Sequence, residues 1–436
     1  MSRRTPVKSS DLRGAVRLAA DATAGLTDLV EAMHERIARM PGLGKPSPDG
    51  RTGGITGLVY KSVRGVTRVV GGSVDGLLGL LAPALSADAP GSGGGAGPGG
   101  ETSAKPSDGS SAQPHAEREA IVAALNGVLG DHLAATHNPL AISMSLRRAG
   151  HALNLNAAAL DAGLPGASHS VVVLVHGLCM SDLQWLRKGH DHGAALARDL
   201  GFTPVYLHYN SGLHISLNGR ELARQLELLL EQWPRPVKRL VLLCHSMGGL
   251  LARSALYHAA QAGQRWPSRL DDLIFLGTPH RGAPLERAGH WVDILLGAAP
   301  YAAPFARLGR LRSAGITDLR HGSLVDEDWT DVAAPASAAK PRANPTRPKP
   351  YHIPLPAWVR CFAAAASIGQ RSGDVKDRLL GDGLVPLDSA LGRHDDPARA
   401  LDFPAERQWV GYGMNHMELL HRAEVYEQLL RWLAER

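Results

Sequence analysis

The chain has 436 residues, 44% of them hydrophobic and 20% charged, which suits one large domain with an appendage, or two domains. Its three cysteines, Cys179, Cys244 and Cys361, stand far apart, which argues against a disulfide framework and against a clustered metal site. The basic N-terminus is not followed by an unbroken apolar segment, so no secretory signal is expected. No uncharged apolar segment reaches the roughly 20 residues that span a bilayer. We therefore expect a cytoplasmic protein with reduced thiols.

The net charge of +6 is unevenly distributed along the chain. Residues 1–86 carry twelve Lys and Arg against seven Asp and Glu, and Ala333–Pro356 adds four basic residues without an acidic one. Nucleic-acid motifs do not accompany these surpluses, and aromatic residues are not interleaved with them as a single-strand binder requires. No nucleic-acid partner is therefore expected, and an ordinary solvated surface is favoured over an anionic membrane or an acidic partner.

A Gly/Ser/Pro-rich stretch over 87–114 predicts a flexible linker, because it cannot bury enough apolar surface to offset its ordering entropy. It separates a helical N-terminal appendage, 1–86, from a main body, 115–436. Within the appendage, residues 52–84 have an amphipathic helical pattern with one apolar face. This helix either packs on its neighbours or provides a peripheral contact with a membrane or lipid surface.

Strand and helix patterns alternate through the main body. A helix beginning at Glu117 and a segment of strand within 143–155 come first, and the final helix is Glu418–Leu433. The predicted strands between them are 170–177, 204–209, 239–244, 270–280, 358–367 and 407–413, and the predicted helices are 193–200, 220–233 and 248–262. Continuous apolar strands alternating with helices predict an α/β fold with a mostly parallel sheet covered on both faces. The interval at about 283–356 breaks this alternation and predicts a cap or lid insertion.

The stretch LVLLCHSMGGLLARSA, Leu240–Ala255, joins a strand to a helix through a turn with Ser246 at its apex. It matches the nucleophile-elbow pattern G-x-S-x-G, except that Cys244 stands in place of the first glycine. Small residues around the serine would let its Oγ project, and the Met247 N–H at the helix N-terminus could face a developing oxyanion. Cys244 precedes the helix N-terminus that would lower a thiol pKa. We interpret Ser246 as the nucleophile; the alternatives are a cysteine site and an ordinary strand–helix turn.

Two further segments complete a candidate site. The Leu178 N–H in His176-Gly177-Leu178, after the first strong strand, would be a second oxyanion donor. Downstream, Asp382 in GDGLVP and His416 in YGMNHMELLH follow strands in the order acid, then base. Loops at the C-terminal ends of parallel strands converge, so His416 could remove the serine proton while Asp382 orients the imidazole.

Other residues of these types have plainer interpretations. Asp374, Asp377 and Asp388 are expected to be surface charges, and His421 is expected inside the terminal helix. The histidines of His190-Asp191-His192 are expected to be exposed. None of the twenty histidines falls in an H-x-x-x-H or similar ligand pattern, so neither a metal nor a cofactor is expected. Structural roles are expected for the histidines next to the motifs, His176, His245 and His280.

From about Ser170 to the C-terminus, the chain resembles an α/β-hydrolase of the lipase/esterase group. The resemblance rests on five segments in the expected order: VVLVHGL, CHSMGG, FLGTPHRG, GDGLVP and MNHMELL. It implies a nucleophile, an acid and a base at Ser246, Asp382 and His416, and backbone oxyanion donors at Leu178 and Met247. It also associates a simple H-G-x turn with medium- or long-chain acyl esters. Residues 1–150 lie outside the resemblance.

The expected activity is that of a serine carboxylic-ester hydrolase, which acts on a small-molecule or lipid ester through an acyl-enzyme and needs no cofactor. Acyl transfer and the hydrolysis of a polyester or an amide stay open, because the same three side chains serve all of these reactions. A surface-binding protein with its main function in 52–84 and a vestigial hydrolase body is the other alternative. The complete set of five segments argues against it.

Overall fold

The computed structural model describes residues 10–18, 112–283, 313–330, 351–371 and 381–434. The chain divides into two compact units, Met1–His115 with Leu133–Ala141 and Ala116–His132 with Ile142–Arg436. In the first unit, helix α1 spans residues 10–18, and Asn138 Nδ2 donates a hydrogen bond of 3.0 Å to the Gly14 carbonyl. The second unit contains the β-sheet and all of the candidate site residues.

The predicted amphipathic helix within 52–84 lies outside the described residues, as does the predicted linker up to residue 111. The domain boundaries and the peripheral membrane contact therefore stay predictions. Among the residues that the structure does describe, no helix combines the length and the apolar character needed to cross a membrane.

Eight strands form one sheet. In chain order they are β1 (Ser145–Arg148), β2 (His151–Ala152), β3 (Ser170–Val175), β4 (Thr203–His208), β5 (Arg239–His245), β6 (Leu270–Leu276), β7 (Arg360–Ser367) and β8 (Gln408–Tyr412). Across the sheet, the order is β2-β1-β4-β3-β5-β6-β7-β8. Strand β1 is antiparallel to both of its neighbours, and the strands from β4 to β8 in this order are parallel. The predicted mostly parallel sheet is confirmed.

The described residues form nine α-helices besides α1. They are α2 (Ala112–Ala135), α3 (Ala157–Gly163), α4 (His192–Leu200), α5 (Ile215–Gln232), α6 (Met247–Gln261), α7 (Ala314–His321), α8 (Glu327–Thr330), α9 (Leu387–Ala390) and α10 (Ala423–Ala434). Helix α4 packs beside α10, and α5 packs beside α6. Every residue of β5 is buried, as a central strand covered on both faces requires.

Two early segments differ from their predicted form. The segment predicted as strand within 143–155 is a hairpin, because Ala149 and Gly150 have φ values of 48° and 78° and reverse the chain. Helix α2 begins at Ala112 rather than at the predicted Glu117. Both differences concern local boundaries and leave the predicted order of elements unchanged.

The predicted final helix, Glu418–Leu433, is divided in two. A 3₁₀ helix spans His416–Leu420, and α10 follows it after a break. The Asn415 side chain accepts hydrogen bonds from two N–H groups of this 3₁₀ helix, so a separate cap starts the short helix. The expectation that His421 lies inside a helix is therefore wrong, because it lies in the break.

The predicted cap insertion at about 283–356 lies mainly outside the described residues. Its described part, 313–330, packs on the body of the second unit. Asp318 of α7 is 1% exposed, lies 2.9 Å from His214 Nδ1 and accepts a hydrogen bond of 2.9 Å from the Ile215 N–H. This part of the insertion is fastened to the start of α5, and the lid role of the remainder stays a prediction.

A buried ion cluster joins three neighbouring strands near their N-terminal ends. Asp272 of β6 is fully buried and accepts a hydrogen bond of 2.9 Å from Arg239 Nη2 of β5. Its other carboxylate oxygen lies 2.6 Å from Arg360 Nη2 of β7. Buried charges are tolerated only when they are paired, so the carboxylate holds both guanidinium groups in place.

We expect Asp272→Ala to lower the free energy of unfolding by about 3–5 kcal/mol, because it leaves the buried Arg239 without its counterion. Urea unfolding followed by circular dichroism measures this difference. The exposed Asp402→Ala is the control and should change the free energy by no more than about 0.5 kcal/mol. Equal effects of the two substitutions would contradict a structural role for the cluster.

Candidate active site

Ser246 lies at a strained turn between β5 and α6. Its φ of 55° and ψ of −126° belong to a region that residues with a Cβ seldom adopt. The Ser246 N–H donates a hydrogen bond of 2.8 Å to the Leu276 carbonyl at the end of β6. This bond holds the turn in its strained conformation, together with the strand before it and the helix after it. The turn has the backbone geometry of a nucleophile elbow.

Glycines follow the serine because α6 begins in direct contact with the sheet. A Cβ on Gly248 would overlap the Val175 carbonyl oxygen of β3, and one on Gly249 would overlap the Thr278 side chain. Any larger residue would push the helix away from the strands. The close approach leaves the Met247 N–H at the first position of α6, where helix N–H groups lack an intrahelical acceptor.

Cys244 occupies a regular strand position, paired with Val175 in β3 and Phe275 in β6. It does not have a positive φ, so the turn does not require glycine there. Burial raises the pKa of the Cys244 thiol above its usual range, and it raises the pKa values of Cys179 and Cys361 to about 12. All three thiols are therefore protonated at neutral pH, and a protonated thiol is a poor nucleophile.

Asp382 and His416 meet where the loops after β7 and β8 converge. Asp382 Oδ2 lies 2.6 Å from His416 Nδ1, and both residues are at most 2% exposed. Asp382 Oδ1 accepts hydrogen bonds of 2.9 and 2.7 Å from the Leu384 and Val385 N–H groups. The His416 N–H donates a further bond of 3.1 Å to the Asp382 carbonyl. The carboxylate is thus fixed in an orientation that directs the imidazole ring.

The His416 ring faces the serine turn. Its centroid is 4.7 Å from that of His245, the residue directly before Ser246. A Cβ on Gly277 would lie 3.0 Å from His416 Nδ1, and Gly277 directly follows Leu276, which binds the Ser246 N–H. The structure therefore places the Asp382–His416 pair next to the turn that carries Ser246, at the C-terminal edge of the sheet.

Of the alternative acids and base, Asp388 and His421 lie within the described residues. Asp388 is ion-paired with Arg393 at 3.5 Å, and its side chain is 65% exposed, as expected for a surface charge. Asp374 and Asp377 lie outside the described residues. His421 is half-buried in the break before α10.

The turn after β3 carries the Leu178 N–H, the other predicted oxyanion donor. A Cβ on Gly177 would lie 3.0 Å from Ser246 Cβ, so this turn directly adjoins the serine. Within the described parts of the chain, no protein acceptor binds the Leu178 N–H. The next residue, Cys179, has a φ of 59° and donates its N–H to Ser211 Oγ at 3.0 Å. Ser211 thus fixes the turn, a contact that no sequence pattern indicated.

Two buried histidines support the loops around the serine. Burial lowers the pKa of His176 to about 3 and the pKa of His245 well below its usual value, so both rings are neutral. His176 stacks on Tyr209 with ring centroids 4.4 Å apart, and the Tyr209 hydroxyl donates to the His176 carbonyl at 2.9 Å. His245 Nε2 lies 3.3 Å from the His416 carbonyl oxygen. These contacts fit the structural roles expected for both residues.

The expectation that both histidines of His190-Asp191-His192 are exposed is wrong. His192 is fully buried, and its Nε2 lies 2.9 Å from the Leu419 carbonyl oxygen. Because Nε2 must then donate, Nδ1 accepts from His190 Nε2 at 2.9 Å. This chain of hydrogen bonds holds the segment after His416. Asp191 caps the N-terminus of α4, a local signal that starts the helix but does not indicate that His192 is buried.

A buried charged group anchors the segment after the Leu178 turn. Asp182 Oδ1 lies 3.2 Å from His208 Nδ1 and accepts a hydrogen bond of 3.3 Å from Arg147 Nη1. The same guanidinium nitrogen donates to Glu119 Oε2 at 3.1 Å. Possible ligand atoms of Glu119, Asp182 and His208 lie within 4.8 Å of one another, a spacing that could hold a metal ion. Since Arg147 already bridges the two carboxylates, we assign the group a structural role.

Comparisons with known proteins agree with this architecture. The family model described as a PGAP1-like alpha/beta domain matches residues 167–341. No curated protein matches the chain. The Bacillus licheniformis lipase BlEst2 in its mature form is 18% identical over 62% of this chain and 92% of its own, with a TM-score of 0.38.

Two more solved structures show the range of similar proteins. The Pyrococcus furiosus esterase Pf2001 is 12% identical over 62% of this chain and 82% of its own, with a TM-score of 0.33. The Vigna radiata epoxide hydrolase VrEH1 is 14% identical over 62% of this chain and 93% of its own, also with a TM-score of 0.33. At such low similarity, none of the three structures bears on the substrate of this protein.

The fold assignment rests on the sheet order, the strained serine turn after β5 and the matched domain model, which spans β3 to β6 and continues into the insertion. The resemblance that the five sequence segments carry is confirmed at the level of the fold. The chain has an α/β-hydrolase fold, and residues 167–341 match a PGAP1-like alpha/beta domain.

Proposed function

We propose that the protein is a serine hydrolase that cleaves carboxylic esters through an acyl-enzyme. The observation that carries this proposal is the 2.6 Å contact between Asp382 Oδ2 and His416 Nδ1 beside the strained turn of Ser246. With Nδ1 held by the carboxylate, Nε2 of His416 is the nitrogen that accepts the serine proton.

The reaction would proceed in two halves. Ser246 Oγ attacks the ester carbonyl carbon as its proton moves to His416, and the carbonyl oxygen becomes an oxyanion that the Leu178 and Met247 N–H groups bind. Collapse of this intermediate breaks the bond to the leaving alcohol, which takes the proton from His416. Water then attacks the acyl-enzyme as His416 removes its proton, and collapse of this second intermediate breaks the bond to Ser246 Oγ, which takes the proton from His416 as the acid is released.

The surroundings of the serine favour this chemistry over thiol chemistry. The flanking histidines, His176 and His245, are neutral and buried, so neither offers a cation that would stabilise a thiolate. Cys244 is on the strand side of the turn and is protonated at neutral pH. The hydroxyl of Ser246 is left as the group that a general base can activate.

We expect Ser246→Ala to lower the turnover of p-nitrophenyl esters by about 10⁴-fold or more, because it removes the nucleophile. The matched control is Ser254→Ala on the same helix, whose Oγ only donates to the Leu324 carbonyl at 2.6 Å. It should keep activity within about threefold. Undiminished hydrolysis by folded Ser246→Ala would overturn the proposed function.

We expect Asp382→Asn to lower kcat by about 10³- to 10⁴-fold, because an amide cannot hold His416 in the tautomer that accepts the serine proton. Steady-state kinetics on the same ester measures the loss. Asp388→Asn, which changes an exposed carboxylate of the nearby helix α9, should leave kcat unchanged. A similar loss in both variants would remove Asp382 from its proposed role.

We expect Cys244→Ala to keep kcat/KM within several-fold, because the thiol is buried and protonated. Iodoacetamide should likewise leave the native enzyme active. Cys361→Ala in β7 is the control for the loss of another buried thiol. A decrease as large as that of Ser246→Ala, with Cys361→Ala unaffected, would assign the nucleophile to Cys244.

A further inference from the structure

A cavity of about 240 Å³ lies beside α6, and its lining is strongly basic. Three arginines, Arg253, Arg281 and Arg399, and four histidines line it, and none of the described lining residues is Asp or Glu. The volume is below the roughly 300–1,000 Å³ of pockets for drug-sized ligands. The cavity therefore suits a small charged group rather than an acyl chain.

Arg253 is the most unusual of these residues. It is 5% exposed, yet none of the described carboxylates lies within ion-pair distance of its guanidinium group. Its Nη2 donates to the Ile353 carbonyl at 2.5 Å, its Nη1 lies 3.5 Å from His280 Nδ1, and its Nε has no hydrogen-bond partner. Burial lowers the pKa of Arg253 only to about 10, so the group stays cationic at neutral pH. A buried charge without a counterion is costly, and an anion in the cavity would relieve that cost.

The histidines add neutral donors to this charge. His280 is 8% exposed, and its Nε2 lacks a hydrogen-bond partner. Burial, and then the charge of Arg253, lowers the pKa of His280 well below its usual value. The same two causes, with a contribution from Arg399, lower the pKa of His352. Neutral imidazoles can donate an N–H to an anion without adding to the repulsion among the arginines.

Acidic residues lie near the cavity but outside its lining, and one of them, Asp328, accepts hydrogen bonds from the Leu324 and Tyr351 N–H groups. Asp395 lies 3.3 Å from Arg281 Nη2, but the Asp395 side chain is 95% exposed, and such surface pairs are weak. Asp396 directs one oxygen to the Ala398 N–H as the cap of a short helix. Arg253 is therefore the buried charge of the lining that no described carboxylate pairs with.

We propose that this cavity is a binding site for a phosphate group. Guanidinium forks bind phosphate in a bidentate manner, and three of them with several imidazoles match the many acceptor oxygens of a tetrahedral dianion. A carboxylate would satisfy only one such fork. The phosphate could be the free ion or the headgroup of a phospholipid, which offer the same oxygens to these residues.

The site is separate from the candidate triad. Arg253 follows Ser246 by seven residues on α6, which places it about 10 Å further along the helix axis. The phosphate site therefore does not depend on the proposed ester hydrolysis, and its test needs no turnover.

Titration calorimetry of the full chain with inorganic phosphate tests the site. We expect one saturable binding event that Arg253→Gln weakens at least tenfold and that Arg399→Gln, at the less buried side of the cavity, weakens several-fold. Arg224→Gln is the matched control, because Arg224 is exposed and paired with Glu221 on α5. It should bind phosphate as the native protein does. Circular dichroism establishes whether each variant is folded. If Arg253→Gln does not fold, the phosphate affinities of Arg399→Gln and His352→Gln test the site instead.

Flotation with vesicles of phosphatidylcholine, with and without phosphatidic acid, distinguishes the two sources of phosphate. Vesicle binding that requires phosphatidic acid and is lost in the folded arginine variants assigns the site to a headgroup. Binding of inorganic phosphate in the calorimeter, without binding to the vesicles that contain phosphatidic acid, assigns the site to the free ion. Vesicle binding through residues 52–84 would persist in the arginine variants, and this distinguishes it from vesicle binding through the cavity. The proposal is overturned if the native protein binds neither ligand, or if the arginine variants bind as tightly as Arg224→Gln.

Discussion

The arrangement of the whole site depends on the direct contact between the first turn of α6 and the central strands. Gly248 and Gly249 permit this contact, because a Cβ at either position would overlap β3 or the residues after β6. The contact forces Ser246 into a positive φ, and the bond from its N–H to Leu276 ties the turn to β6. Since β5 is buried on both faces, the turn cannot relax without disrupting the core.

Buried neutral histidines hold the loops that converge on this turn. His192 binds the Leu419 carbonyl, His245 lies beside the His416 carbonyl, and His176 is fixed against Tyr209. Burial keeps these rings uncharged, so each can satisfy a backbone or side-chain partner without a counterion. This role accounts for three of the twenty histidines.

Helix α6 connects two regions of different electrostatic character. At its start, Ser246 lies beside a histidine that a carboxylate orients, in surroundings of neutral buried rings. Two turns later, Arg253 carries a buried positive charge into a cavity whose described lining has no acid. Packing of α6 against the sheet fixes both groups relative to the same backbone, so that one helix would serve the proposed hydrolytic site and the proposed anion site.

The sequence by itself determined the parallel sheet and the order of its elements, and it indicated the residues proposed for the site at the C-terminal edge of the sheet. Continuous apolar strands and short motifs around Ser246, Asp382 and His416 are local signals, and parallel strands bring their following loops to one edge. Only the tertiary structure decided the burial of His192, the break in the terminal helix and the basic cavity around Arg253. Each of these depends on which distant segments pack together, and residue spacing along the chain does not encode the burial or counterions that result.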